Sequence, residues 1–380
     1  MNSTGRTIRL HNDSGHNQFA QALRENVPLA PLTTLGVGGP ARFFADCATG
    51  EAMAAGVAWA RERGLPVFVL GGGSNVVVAD EGFAGLVLRV AIRGITEEVD
   101  AGRTVIAAGA GEAWDEFVAY TVERDLAGLE CLSGIPGRVG ATPIQNVGAY
   151  GQETAETLVA VEALDLETGV LVHFDRGECE FGYRASRFKG RDKGRYVITR
   201  VSFTLSRGGK PAVRYAELQR YLADAGATTP ALAQVRAAVL AIRRRKAMVI
   251  DPADMDSRSV GSFFMNPAVT KEDFERVNSI AARLTGSGEA MPAFPAANGL
   301  VKLSAAWLIE RAGIPRGTVY GNVGTSSKHA LAIINRGGGA AREVLELCRL
   351  IQSRVRDLFD VELTPEPVFV GFDEDAARGA

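Results

Sequence analysis

The sequence predicts an α+β protein in three units, two α/β units followed by a C-terminal α+β unit. Three observations carry that expectation. Of the 380 residues, 46% are apolar and 23% charged, the balance of a globular chain, and one core rarely grows past about 250–300 residues, so the chain divides. Buried-strand runs alternate with helical periodicity through the first two units. The last unit opens instead on a loop and continues mainly as amphipathic helices. Forty-four glycines against fifteen prolines add many close backbone approaches, as loops that hold a cofactor or phosphate require.

In chain order, residues 1–26 are polar and patternless and read as a disordered or draped extension. The first unit, 27–95, contains a helix in GEAMAAGVAWARERG ending at Gly64, a buried strand LPVFVL and a second strand GLVLRVA. The second, 96–246, starts with a strand TVIAAGAG and a helix around WDEFVAYTVE, then a glycine-rich loop through Gly151. Two apolar runs around Glu167, Thr168 and Gly169 signal a hairpin, and YVITRVSFTLS is a further strand. Thr229 as N-cap and Pro230 in the first turn predict a helix with Leu232, Val235, Val239 and Ile242 on one face, running into Arg243, Arg244, Arg245 and Lys246. The third unit, 247–360, carries helices at KEDFERVNSIAARL and SAAWLIERAG, a strand at ALAIIN and a last helix with Val344, Leu347, Cys348, Ile351, Val355 and Leu358 at core spacing. Residues 361–372 hold a strand, PEPVFVGF, that needs a partner sheet.

Composition narrows the function classes. A formal charge of −2 provides no global basic field for nucleic acid or anionic lipid. The start has no apolar segment of signal-peptide length, and no run of about 18 apolar residues follows, so a cytoplasmic protein without membrane insertion is expected. Cys47, Cys131, Cys179 and Cys348 are scattered without CxxC spacing and form no recognisable metal set with the four histidines, so no metal is expected and the cysteines read as small buried residues.

Two of the glycine loops are decoys. GAGEAW (109–114) follows a strand and precedes a helix, but Trp114 stands where a dinucleotide fingerprint needs its third glycine. GVGGPA (36–41) has no clear strand feeding it. VLGGGSNVVVAD (69–80) is more informative: three glycines leaving a strand expose consecutive N–H groups, and Ser74 and Asn75 add side-chain donors, a nest suited to a diphosphate. No GK[ST] follows, so it is not a Walker loop. The stretch CLSGIPGRVGATPIQNVGAYGQE (131–153) is nearly uncharged over its length, as a loop wrapping a large, flat, partly apolar ligand would be.

These two loops, followed by FGYRASRFK, GSFFMNP, VKLSAAWLIE and PEPVFV, come in the order found in the UDP-N-acetylenolpyruvoylglucosamine reductase (MurB) family, which the chain resembles from about Leu32 to Phe372. VRYAEL (213–218) with the helix before Lys246 resembles the insertion of the family's tyrosine-loop type, type I. The resemblance implies a flavoprotein whose two α/β units form an FAD-binding domain of the vanillyl-alcohol-oxidase/PCMH type and whose C-terminal unit binds substrate, with 361–372 returning to the active site. It implies NADPH-dependent reduction of UDP-N-acetylglucosamine enolpyruvate to UDP-N-acetylmuramate in peptidoglycan synthesis. Residues 69–76 contain no histidine, so the FAD is expected to be non-covalent. NADPH and substrate can use one pocket in turn, and a monomer is expected.

That reaction needs stabilisation of an enolate-like charge and a proton for carbon. By motif, the resemblance assigns Ser262 as proton donor, Arg184 to the substrate carboxylate and Glu366 to the active site. It assigns Tyr183, Tyr215, Lys246 and Asn266 to substrate binding. FAD contacts are implied from Thr34, Leu35 and Gly36, from Gly71, Gly72, Gly73, Ser74 and Asn75, and from Ser133, Gly134, Ile135, Gly140, Ala141, Gln145, Asn146, Gly148, Ala149 and Tyr150. Lys328 and His329 are weaker candidates. The plain alternatives are a turn serine capping a backbone group, a surface arginine and a lysine complementing a helix dipole. An oxidase with the same FAD domain acting on a sugar or alcohol, a hydrolase using Ser262 without a GxSxG elbow, and a nucleotide binder without redox activity are the rival functions.

Overall fold

The computed structural model describes residues 19–100, 103–285 and 291–373 and has mixed helix and strand, as the α+β expectation required. Residues 1–18, the bulk of the expected extension, lie outside the described residues. The end of that extension is structured: Phe19 is buried against Trp59, and Arg24–Pro28 is a strand. Two compact units form, one from residues up to Val27, 41–72 and 84–245, the other from 28–40, 73–83 and 246 onward.

The first unit contains two main sheets. A four-stranded sheet runs in the order Arg24–Pro28, Pro40–Cys47, Phe83–Val90, Val67–Leu70, the last two parallel with Val67 opposite Leu86. Helix Gly50–Glu62, whose N-cap Thr49 accepts from the Ala52 N–H, buries Met53, Ala54, Val57 and Ala60. A six-stranded sheet orders Val170–Asp175, Leu158–Asp165, Tyr196–Arg207, Arg103–Gly109 and Ile95–Asp100, with Leu126–Ala127 pairing beside Tyr196–Arg207. The expected hairpin closes with Asp165 opposite Val170 and Gly169 at φ 69°. Trp114 opens helix Trp114–Glu123 fully buried, its ring 6.0 Å from Phe203 and its Nε1 donating to the Leu132 carbonyl at 3.0 Å. The position at which a dinucleotide fold requires glycine is therefore a core aromatic.

One helix boundary differs from expectation. The helix following Thr229 and Pro230 begins only at Leu232, and Ala231 holds the cap position: its carbonyl accepts from Val235 and its N–H donates to Gln234 Oε1. Pro230 thus lies before the helix, where its fixed φ and missing N–H are harmless.

The second unit packs around Phe263, Phe264, Trp307 and Phe359. Its long helix, Ala341–Phe359, buries Val344, Leu347, Cys348, Ile351 and Val355 as the spacing predicted. The tail strand finds its partner in Val76–Val78, paired in parallel with Val368–Val370. This pairing, with the bond from the Leu29 N–H to the Gly39 carbonyl and that from the Gly39 N–H to the Ala79 carbonyl, puts 28–40 and 73–83 in the second unit rather than with their sequence neighbours. Asp80 lies just beyond that strand and accepts from the N–H groups of Ala341 and Arg342 at 2.7 and 3.0 Å, capping the long helix from far away in sequence. All four cysteines are free and buried, and burial pushes the Cys47 and Cys348 thiols up to about 12. Among the described residues no helix is long and apolar enough to cross a membrane.

Replacing Asp80 by alanine removes both cap bonds and the favourable charge at the helix N-terminus. A loss of about 1–2 kcal/mol in unfolding free energy is expected from urea titration, with the transition slope unchanged.

Candidate active site

In the first unit the glycine loops meet. A side chain at Gly72 would lie 2.7 Å from Gly137 Cα, whereas one at Gly71 would meet nothing nearer than Ala141 Cβ at 4.0 Å. Gly140 donates to the Ala110 carbonyl and would collide with Ala110 if it carried a side chain. Close approach fixes the loops to each other at Gly72 and Gly140 and leaves room at Gly71. Among the described residues the N–H groups of Gly71, Gly72, Gly73 and Ser74 donate to no acceptor, the property an anion-binding run of backbone amides needs.

The loop's C-terminal half is held in an uncommon conformation. Asn146, Tyr150 and Arg184 adopt φ values of 45°, 50° and 52°, left-handed geometry that costs a non-glycine residue roughly 1–2 kcal/mol. Arg184 and Asn146 belong to one bonded patch. Arg184 donates to the Gly148 carbonyl at 2.9 Å and to the Asn146 carbonyl at 3.5 Å. Asn146, 1% exposed, donates to Glu153 at 2.7 Å and the Gly182 carbonyl at 3.1 Å and accepts from the Ala155 N–H at 3.0 Å. Its side chain, expected to touch a cofactor, works here as the lock of the loop. Ser133 is likewise turned inward, its hydroxyl bonded to the Glu130 carbonyl at 2.6 Å. Tyr183 and Tyr215 are 50% and 46% exposed, unusual for large aromatics and suited to ligand contact. The Tyr215 ring stands edge-on to Tyr150 at 5.5 Å.

Sequence reading missed what lies behind this patch. Arg243, taken as part of a basic helix end, is buried and bonded to Tyr150, and burial depresses its pKa while raising that of Tyr150 to about 12. Arg236, one heptad earlier, pairs with Asp115 through two bonds of 2.5 and 2.9 Å, and Asp115 also accepts from the Gly134 N–H. Burial alone would raise the Asp115 pKa; the Arg236 and Gly134 hydrogen bonds outweigh it and hold the carboxyl below its ordinary value. The available signal was spacing: Arg236 and Arg243 each follow a buried stripe residue, Leu232 and Val239, by four positions.

In the second unit Ser262 lies half-buried after Gly261, which takes φ 78°. The backbone around it is tied on several sides: Phe263 donates to Leu331 at 2.7 Å and accepts from Glu366 at 2.8 Å, and Met265 donates to Thr364 at 3.0 Å. Gly261 is capped by Ser259 Oγ instead. The Ser262 hydroxyl makes no hydrogen bond among the described residues, so it does not cap the turn. Asn75 bridges the glycine run to the tail, its amide donating to the Glu366 carbonyl at 3.3 Å and its carbonyl accepting from Val368 at 2.9 Å. Thr34 donates to the Ser259 carbonyl at 2.6 Å, Leu35 is buried in the core, and the Gly36 carbonyl accepts from Asn335 at 3.1 Å. Any contact from Leu35 to a ligand is therefore through backbone. Asn266 accepts from the Ala305 N–H at 2.9 Å, at the start of helix Ala305–Arg311. Lys328 is paired with Asp254 at 2.6 Å.

Comparison with known proteins covers both units. The family described as "UDP-N-acetylenolpyruvoylglucosamine reductase, C-terminal domain" matches residues 251–370, and that described as "FAD binding domain" matches 41–175. The UDP-N-acetylenolpyruvoylglucosamine reductase of Thermobifida fusca is 49% identical over 91% of this chain and 97% of its own length. The chain belongs to the UDP-N-acetylenolpyruvoylglucosamine reductase (MurB) family. Its relative from Nocardia farcinica is 48% identical over 92% of this chain and 90% of its own. Among solved structures, MurB from Thermus caldophilus matches with a TM-score of 0.61 and 27% identity, over 92% of this chain and 99% of that one.

Two outcomes follow from this geometry. Asn146→Ala strands the Ala155 N–H and the Gly182 carbonyl, and a loss of about 1–3 kcal/mol is expected in chemical denaturation. Because the folded pKa of Asp115 lies below its unfolded value of about 3.9, its contribution is present above that value and lost as pH falls through the folded one. The acid-side fall in thermal midpoint should therefore be shallower in Arg236→Gln than in the parent when both are scanned from pH 6 to about pH 2.

Proposed function

We propose that the chain reduces UDP-N-acetylglucosamine enolpyruvate to UDP-N-acetylmuramate, with NADPH as reductant and non-covalent FAD, in peptidoglycan synthesis. The observation that carries this reading is the 49% identity to a reductase of that name running through nearly the whole chain. The residues present fit FAD: a run of N–H groups without acceptors at Gly71 to Ser74 suits its diphosphate, and the neutral loop from Ser133 to Tyr150 suits its ring. When bound, FAD supplies hydride transfer, from NADPH and then to the terminal enolpyruvyl carbon.

The chain's own residues handle charge and the proton. Arg184 holds the substrate carboxylate and offsets the charge that develops beside it; its orientation toward that task comes from the two carbonyls that grip it and from its left-handed backbone. Ser262 donates the proton to carbon. An uncommitted hydroxyl on a backbone bonded at Phe263 and Met265 is what a positioned donor requires. Glu366 stands in the segment bonded to Phe263 and assists proton movement. Tyr183, Tyr215, Lys246 and Asn266 bind the substrate, Asn266 through the amide whose oxygen caps a helix. The protein acts as a monomer in the cytoplasm.

Stopped-flow on Ser262→Ala tests the assignment. NADPH should still reduce the flavin at the parent rate, while reoxidation by the enolpyruvyl substrate falls by about 10²–10⁴, the size of one acid–base contribution. Equal loss of both half-reactions, or of neither, would rule Ser262 out as the donor.

A further inference from the structure

The first unit holds a cavity of about 450 Å³ that the proposed reaction does not use, within the range of small-molecule sites, ~300–1,000 Å³. Its lining includes Arg103, Lys210 and Arg214 and the acids Glu130 and Glu156. Both acids are already saturated by donors. Glu130, fully buried, accepts from the N–H groups of Gly128 and Ala212 and from the Gln152 amide. Glu156 accepts from the Glu153 N–H and from Arg214 at 2.8 Å. Lys210 is exposed and forms no ion pair among the described residues, and Arg103 is exposed beside it on the same cavity. The Thr157 hydroxyl in the lining is buried with no hydrogen-bond partner among the described residues. Two cations, Arg103 and Lys210, with no carboxylate partner among the described residues, a third, Arg214, already held by Glu156, and an unmatched hydroxyl describe a place for an oxyanion.

Position adds a consequence. The cavity wall is the stretch that delivers Tyr215. Ala212 is tied to Glu130 and, through its carbonyl, to the Cys131 thiol at 3.3 Å. Arg214 donates to the Gly151 carbonyl at 3.3 Å as well as to Glu156, and the next residue, Tyr215, rests against Tyr150. A ligand that draws on Arg214 therefore acts on the same bonds that hold the tyrosine.

We propose that this cavity binds a small phosphate monoester through Lys210, Arg103 and Arg214, and that its occupancy changes the affinity for the UDP substrate by resetting Tyr215. The second half rests on the reading of Tyr215 as a substrate contact; the first does not.

The test uses inorganic phosphate as probe on the FAD-loaded protein, with ionic strength held constant by sodium chloride. Calorimetry should show saturable binding that weakens at least tenfold, about 1.4 kcal/mol, in the Arg103→Ala/Lys210→Ala double variant and survives in Lys246→Ala. Both replaced side chains are exposed, and unchanged thermal midpoints without phosphate would confirm that the variant folds. In steady state, phosphate should shift KM for the enolpyruvyl substrate at constant kcat in the parent and not in the double variant. Absence of saturable binding, binding undiminished in the double variant, or binding lost in Lys246→Ala would overturn the site. Intact binding with an unmoved KM would overturn the coupling. Neither result touches the Ser262→Ala half-reactions, so failure here is distinct from failure of the proposed reaction.

Discussion

The second unit depends on a pairing between stretches from opposite ends of the chain, Val76–Val78 and Val368–Val370. Closing so long a loop carries an entropic cost that grows slowly with length and must be met before the pairing's own bonds form. What meets it is the core packed against those strands, in which Val77, Phe263, Phe264 and the buried face of Ala341–Phe359 share one cluster. Once paired, the segment puts the Glu366 N–H on the Phe263 carbonyl and its own carbonyl on the Asn75 amide. Phe263, the residue after Ser262, is thereby held by bonds that none of its neighbours in sequence could supply.

The first unit solves a related problem by strain. A loop nearly free of charge cannot be anchored by ion pairs, so its position is held by a buried amide and by three non-glycine residues in left-handed geometry. Such conformations persist only where surrounding bonds over-determine them. Arg184 is at once part of that lattice and the group assigned to the substrate carboxylate, which ties the rigidity of the loop to the placement of a charge. Behind it, Asp115, Arg236 and Arg243 form a partly buried polar layer in which burial and hydrogen bonding pull the Asp115 pKa in opposite directions.

Legibility followed the range of the interaction. Helices Trp114–Glu123 and Ala341–Phe359 and the hairpin at Gly169 were readable because spacing, turn residues and local burial agree within a short window. The start at Leu232 was misread by two residues, since Thr229 and Pro230 are good cap residues and Gln234 supplied the cap from inside the helix. Phe19 and strand Arg24–Pro28 were invisible in a polar stretch, because a single buried ring and an edge strand leave no periodicity.

By itself the sequence determined the chemical vocabulary: glycine runs able to expose amides, a neutral loop, a serine after glycine, an arginine and a glutamate in motifs of one family. Those properties are local, set by residue type and by neighbours a few positions away. Tertiary structure alone decided which of these groups are committed. Asn146 and Ser133 turned inward, the Asn75 amide reached Glu366, and the Ser262 hydroxyl bonded to nothing among the described residues. The reason is that a hydrogen-bonding group's availability depends on which distant backbone donors and acceptors folding brings to it, and no window of sequence contains them.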